Sequence, residues 1–415
     1  MKNLYPIFVL LILFSTSCKK ENIPDDNTAY CSSSTFQVTL DEPDLSNSNI
    51  TEDKECNVIV FCKVGQQNKL IKLNATGKLL WNKIIDSDKK PIDVLALSDN
   101  SIVVLLKGES TKEKTGAYPN RAWITSGIIV SDNCKTSHEL VDSCTYFKYK
   151  GNLELRRYDS DGNQLWLKNI EYNQASENSL LENSSNSFLL IAADLYGMQP
   201  DNVYDSIGNL PKIDFPFDRN KLKVYNISYD NQVIWESEVD NLFNEWSLDI
   251  FFPRISIVKL NDNILIKTKK YLITLDKNGA EAKRDDLYPE HCDNTLYFMI
   301  GLGEDSYIIS GTYAIYEEPL PVGVRYTKCI RSDGAIIWQQ DEILYIEDGN
   351  KNCFITNGYP YLKYYDAKGN YKYEIDNVYF PIAKINCNNG ITFTSTDVED
   401  NYKLIITRTD SNGNF

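Results

Sequence analysis

Hydrophobic positions in this chain gather in short β-branched and aromatic runs, separated by clusters of Asp, Asn, Gly and Ser. Residues 94–170 show the pattern best. Val94-Leu95-Ala96-Leu97 reads as one strand, and Ser98-Asp99-Asn100 as the turn that ends it. Ser101 to Leu106 is a second, almost wholly apolar strand. Leu153-Glu154-Leu155-Arg156-Arg157-Tyr158 is a third, alternating at first as a half-buried strand does. Asp159 to Gly162 turns the chain, with Gly supplying the positive φ that such a turn needs. Gln164-Leu165-Trp166-Leu167 opens a fourth strand. Four antiparallel strands in this order make one propeller blade.

The template recurs seven times, at about 50–85, 93–170, 179–240, 252–286, 296–345, 349–377 and 381–415. Its signature is an Asp/Asn-x-x-Gly turn followed by Trp. Asn74-Ala75-Thr76-Gly77 leads to Trp81, Asp159-Ser160-Asp161-Gly162 to Trp166, and Ser332-Asp333-Gly334 to Trp338. Asp230-Asn231-Gln232 before Trp235, Asp276 to Gly279, Asp366 to Gly369 and Asp410 to Gly413 are weaker copies, with Tyr373 in the Trp position of the sixth unit. The seventh unit ends after its third strand and turn, while Phe36-Gln37-Val38-Thr39-Leu40 is a spare strand before the first. The pattern predicts an all-β fold: a single β-propeller over 35–415, with seven four-stranded blades closed by this N-terminal strand, which hides an otherwise open edge. Trp81, Trp166, Trp235 and Trp338, recurring at one repeat position, are assigned to blade–blade packing.

The Asp-x-x-Gly-x-x-x-Trp phrase resembles the quinoprotein-like β-propeller repeat family across roughly residues 50–415. That resemblance implies fold. Enzymes of the family bind pyrroloquinoline quinone and Ca²⁺ in a dedicated site, for which this sequence carries no motif, so no cofactor is predicted.

The first residues read as a targeting segment. Lys2 precedes the apolar run Leu4 to Phe14, too short for an ordinary spanning helix, and Ser15-Thr16-Ser17 precede Cys18. This resembles a bacterial lipoprotein signal, with residues 1–17 removed and Cys18 acylated; Lys19-Lys20-Glu21 resembles the Bacteroidetes type, some of which reach the cell surface. Ser15 stands where the lipobox usually has Leu. Residues 18–34 then form an acylated, polar tether, and the expected location is the outer membrane. No other segment is apolar enough to span a bilayer.

Net charge is −15, which excludes a nucleic-acid-binding role because phosphate backbones require Lys and Arg. Beyond Cys18, nine of the ten cysteines remain, an odd number. Cys134 and Cys144 share a polar segment and are the candidate disulfide. Cys56, Cys353 and Cys387 lie near repeat turns, where cross-blade bridges are open to them, and most cysteines are expected to act as small core hydrophobes. Only His138 and His291 are present, neither at metal-ligand spacing, so no metal site is predicted. Asp159-Ser160-Asp161-Gly162 resembles the start of a Ca²⁺ loop but lacks its remaining carboxylates. Nucleophile elbows and phosphate-binding glycine loops are missing, so no catalytic residue is assigned.

Three long insertions, Glu109–Lys150, Gly197–Asn220 and Thr312–Val324, all join second to third strands and therefore emerge on one face. The Asp-x-x-Gly turns occupy the other. Long connections on a rigid scaffold are where binding residues concentrate. The ligand-binding candidates are Tyr118, Arg121, Trp123 and Tyr146 in the first insertion, Tyr204, Phe215, Phe217 and Arg219 in the second, and Tyr313, Tyr316 and Glu317 in the third. Aromatics beside Arg and carboxylates suit a glycan or a partner protein. The sequence thus points to a binding or scaffold module, with a carbohydrate-active or degenerate quinoprotein enzyme as the alternative.

Overall fold

The central strands of each repeat are apolar at consecutive positions because both of their faces are covered. In Val58–Val64, Val58, Val60 and Cys62 pack toward one neighbouring sheet, and Ile59 and Phe61 toward the other. Ile102, Val104 and Leu106 likewise face one neighbour while Val103 and Leu105 face the next. Strands buried on both faces lose the period-two alternation of half-buried ones. The computed structural model describes residues 34–40, 49–109, 111–118, 122–129, 136–141, 144–172, 179–194, 196–200, 203–205, 221–239, 256–268, 271–286, 295–315, 322–358, 361–376, 378, 382–397 and 403–415. It is a seven-bladed β-propeller, each blade a four-stranded antiparallel sheet, with no helix among the described residues.

Blade 1 comprises Asn49–Glu52, Val58–Val64, Gln67–Leu73 and Leu79–Ile85. Blades 2 to 6 span 90–170, 180–239, 256–286, 295–340 and 346–375. Blade 7 takes Ile382–Ile385, Ile391–Asp397 and Lys403–Arg408 from the C-terminal end, and Phe36–Leu40 from the N-terminal end. Phe36 pairs with Arg408 and Leu40 with Leu404, so the spare strand closes the ring as the repeat count requires. First strands of successive blades touch one another at six of the seven seams, including that between blades 7 and 1, and so line the axis. Seven apolar clusters fill the seven seams between blades.

Fourth strands form the outer wall. Leu79 and Leu80, Val233 and Ile234, and Ile336 and Ile337 are about half exposed just before their Trp, whereas Trp81, Trp235 and Trp338 turn inward onto the next blade. The first two insertions, expected as long connections, contain strands. Cys144–Lys150 pairs with Thr111–Tyr118 on one side and with Tyr196–Pro200 on the other, in one three-stranded sheet. Thr136–Val141 pairs with Ala122–Ile129 on one side and with Val203–Asp205 on the other, in a second. The blade 5 insertion is mostly an extension of its hairpin, with Ser306–Ile315 paired to Val322–Arg331 out to Ile315 opposite Val322.

Candidate functional site

The two faces of the ring are built differently. On the turn face, the Asp/Asn-x-x-Gly phrase forms a self-capped turn. Asp159 accepts the N–H groups of Asp161 and Asn163, at 3.0 and 2.8 Å. Asp276, Asp366, Asp410 and Asn74 repeat this at the same two positions. Gly162 and its equivalents sit near φ +80°, a region costly for any residue with a Cβ. The carboxylates of the Ca²⁺-loop-like phrase are thus occupied by backbone, and a hairpin turn accounts for them.

Each fourth-strand indole lies on the next blade's turn. Trp81 donates to the Ser160 carbonyl at 3.0 Å, Trp166 to Tyr229 at 2.8 Å, Trp235 to Lys277 at 3.1 Å and Trp338 to Ala367 at 2.8 Å. A Cβ on Gly279 would stand 2.5 Å from the Trp235 ring, and one on Gly413 2.6 Å from Tyr373. At the closing seam Phe36 covers Gly77 in the same way, at 2.7 Å. Blade 4 breaks the pattern: Lys283, opposite Thr274, stands where the other blades place an aromatic ring, and nothing lies within 4 Å of a Cβ on Gly334. These aromatics serve the seams, which leaves none of them for a ligand stack.

The residue paired with the Trp position on the third strand supplies a second staple at three successive seams. Lys72 reaches the Ser160 carbonyl at 3.4 Å and the buried Asp53 at 2.9 Å. Arg157 joins Asp99 to the Tyr229 carbonyl. Arg408, opposite Phe36, joins Glu52 to the carbonyls of Cys56 and Ala75. Buried charges of this kind cost several kcal/mol unless fully partnered. Beside Arg408 a disulfide joins Cys56 to Cys387, linking the first turns of blades 1 and 7 across 331 residues of sequence. Cys353, a bridge candidate in the sequence, is instead a buried thiol outside any disulfide, as is Cys329. Inside the ring, Lys384 of the blade 7 first strand lies 3.6 Å from Asp348 of blade 6. Its side chain keeps 28 % exposure though protein surrounds it. Burial lowers its ammonium pKa, but Asp348, Asp93 and Glu347 outweigh that and raise it.

The opposite face carries the two inserted sheets. Each takes strands from both blade 2 and blade 3, so backbone pairing fuses the two insertions. Leu140 stands opposite Trp123 on one side and Tyr204 on the other, placing one candidate from each insertion in a single cross-strand row. Tyr146 stands between Gly116 and Met198, and Tyr118 opposite Cys144. Tyr313 lies on the blade 5 hairpin opposite Val324. Arg121, Phe215, Phe217, Arg219, Tyr316, Glu317, Cys18, His291 and the Cys134 half of the proposed Cys134–Cys144 bridge lie outside the described residues. What the arrangement offers is a pair of three-stranded sheets, each shared between the insertions of two adjacent blades.

No protein-family model matches the chain, and no curated protein does. Among solved structures, virginiamycin B lyase from Staphylococcus aureus superposes with a TM-score of 0.48 at 10 % identity, covering 90 % of this chain and 99 % of the lyase. A protein of unknown function from Bacteroides caccae gives 0.33 at 11 %, covering 71 % and 81 %. A DUF4221 member from Bacteroides vulgatus gives 0.32 at 10 %, covering 92 % and 94 %. At these values the likeness says nothing about activity.

Proposed function

We propose that this chain is a lipid-anchored cell-envelope β-propeller that works as a binding or scaffold module, taking a glycan or a partner protein on its insertion-bearing face. The observation that carries the reading is the strand pairing between the blade 2 and blade 3 insertions. Separate loops would lose conformational entropy on binding; a sheet shared by two blades has already lost it during folding. The Asp-x-x-Gly-x-x-x-Trp phrase supports placing the repeat in the quinoprotein-like family as a scaffold.

The test is a thermal-shift screen with oligosaccharides, Ca²⁺ and pyrroloquinoline quinone, joined to envelope pull-downs, on the whole protein and on a variant lacking 109–150 and 197–220. A ligand that binds only the folded state raises the melting temperature. A sugar-dependent rise or a captured partner that disappears in the folded deletion variant supports the reading. Unchanged binding by that variant removes it, and a rise with quinone plus Ca²⁺ replaces it with an enzyme.

A further inference from the structure

Arg408 does more at the closing seam than its counterparts do at theirs. Lys72 and Arg157 occupy the same repeat position, and each joins an acid to a carbonyl of the next blade, with Arg157 also donating from Nε to Ser101 at 2.9 Å. Arg408 makes that staple with Nη1, which donates to Cys56 and Ala75 at 3.1 and 3.3 Å. Its Nη2 lies 2.8 Å from Cys387 Sγ and 3.4 Å from Glu52, and its buried Nε has no partner. The guanidinium is wholly buried. Of the two sulfur residues, Cys56 is buried and Cys387 is exposed on the turn face. A Glu52 oxygen lies within 4.8 Å of both sulfurs.

A staple explains Nη1. It does not explain a guanidinium arm held on sulfur. A buried cation beside an accessible sulfur is the arrangement that stabilises a thiolate and makes that cysteine the exchanging one. We propose that the Cys56–Cys387 disulfide is a thiol-exchange site for a dithiol partner, with Cys387 as the sulfur attacked and Arg408 as the group that holds its thiolate on release. The partner's first thiolate bonds to Cys387 Sγ, the protein S–S bond breaks, and its electron pair leaves on Cys56 Sγ. Glu52 supplies the proton that the buried Cys56 thiolate takes up; burial pushes this carboxyl up, against the opposing pull of Arg408. The partner's second thiolate then attacks the partner sulfur of the mixed disulfide and expels Cys387 as a thiolate onto Arg408. The protein disulfide gains two electrons, and the partner dithiol loses two as it becomes a disulfide.

The test uses the full chain, titrated with dithiothreitol near neutral pH, acid-quenched, alkylated and mapped by peptide mass. Cys56 and Cys387 should become reducible together while circular dichroism stays native, and a limiting monothiol should form its adduct on Cys387. Reduced Cys387 should alkylate with a pH midpoint below the ordinary thiol value of about 8.5. Cys329 and Cys353 are internal controls, since burial pushes both thiols up to about 11. The charged groups around Cys387 are Arg408 and Glu52, with Asp53 beside Glu52. Arg408→Lys should keep the low midpoint. Arg408→Gln should return it to the ordinary value and slow alkylation near pH 6.5 about tenfold, the thiolate fraction lost for about one pH unit. If the Gln variant does not fold, Glu52→Gln, which removes the facing acid, should lower the midpoint further. A bond that reduces only on unfolding, an adduct on Cys56, or an unshifted midpoint overturns the proposal.

Discussion

Two glycines of the same repeat position separate backbone strain from seam packing. Gly279 and Gly334 have φ of +82° and +88°, so either one replaced by Ala must hold a left-handed conformation, at roughly 1–2 kcal/mol. Their surroundings differ. Around Gly334 there is open space, because Lys283 replaces the aromatic of blade 4. At Gly279 the new Cβ would meet Trp235 atoms at 2.5 to 2.8 Å. The indole must retreat, which costs about 1–3 kcal/mol as overpacking. It also strains or breaks its 3.1 Å bond to the Lys277 carbonyl, worth about 1 kcal/mol. Gly334→Ala should therefore destabilise by roughly 1–2 kcal/mol and Gly279→Ala by roughly 3–6 kcal/mol. Equilibrium urea unfolding followed by tryptophan fluorescence reads the difference. Equal losses in the two variants would refute the claim that Trp235 pins blade 3 to the turn of blade 4.

Three further outcomes follow from the same seams. Lys283→Trp should add a ring over Gly334 and raise the melting temperature, through roughly 1 kcal/mol of added burial; a lower melting temperature would count against it. Deleting residues 35–40 should expose Lys403–Arg408 as an open edge, seen as aggregation in light scattering, whereas a monomer of unchanged stability would contradict the closure. For pH, burial pushes the Asp366 carboxyl up, but Asn370, Lys372 at 2.9 Å and the N–H groups of Asn370 and Lys368 outweigh it and hold it at about 2. A carboxyl depressed on folding stabilises above its unfolded value of about 3.9, and that stabilisation is lost as pH falls toward 2. Asp366→Asn keeps the cap, as Asn74 does in blade 1. Urea midpoints should then fall less between about pH 4 and 2 than in the unmodified chain.

The ring was legible because its instructions are local. The turn, its glycine and the following Trp lie within eight residues in the sequence of blade 2, from Asp159 to Trp166. The closing strand was legible as the one strand left over. What was not legible depends on which turn meets which. Cys56 and Cys387 are 331 residues apart, and only the meeting of first and last blades brings their two first turns together. The strands inside the first insertion were hidden for another reason. Thr111–Tyr118 mixes Lys112, Glu113 and Lys114 with Gly116, which obscures a period of two. Cys144–Lys150, with Tyr146, Phe147 and Tyr149, carried a β signal that aromatic content could have revealed. The shared sheets of blades 2 and 3 needed the three-dimensional adjacency of two segments that each read as loop.

The most direct measurement on the working face is hydrogen–deuterium exchange with an oligosaccharide or envelope protein that raises the melting temperature. The account predicts new protection in 111–118, 122–129, 136–141, 144–150, 196–200 and 203–205, the strands of the two inserted sheets. Protection confined to the turn face, at 74–77, 159–162, 276–279 and 366–369, would place the ligand on the opposite side of the ring and contradict it.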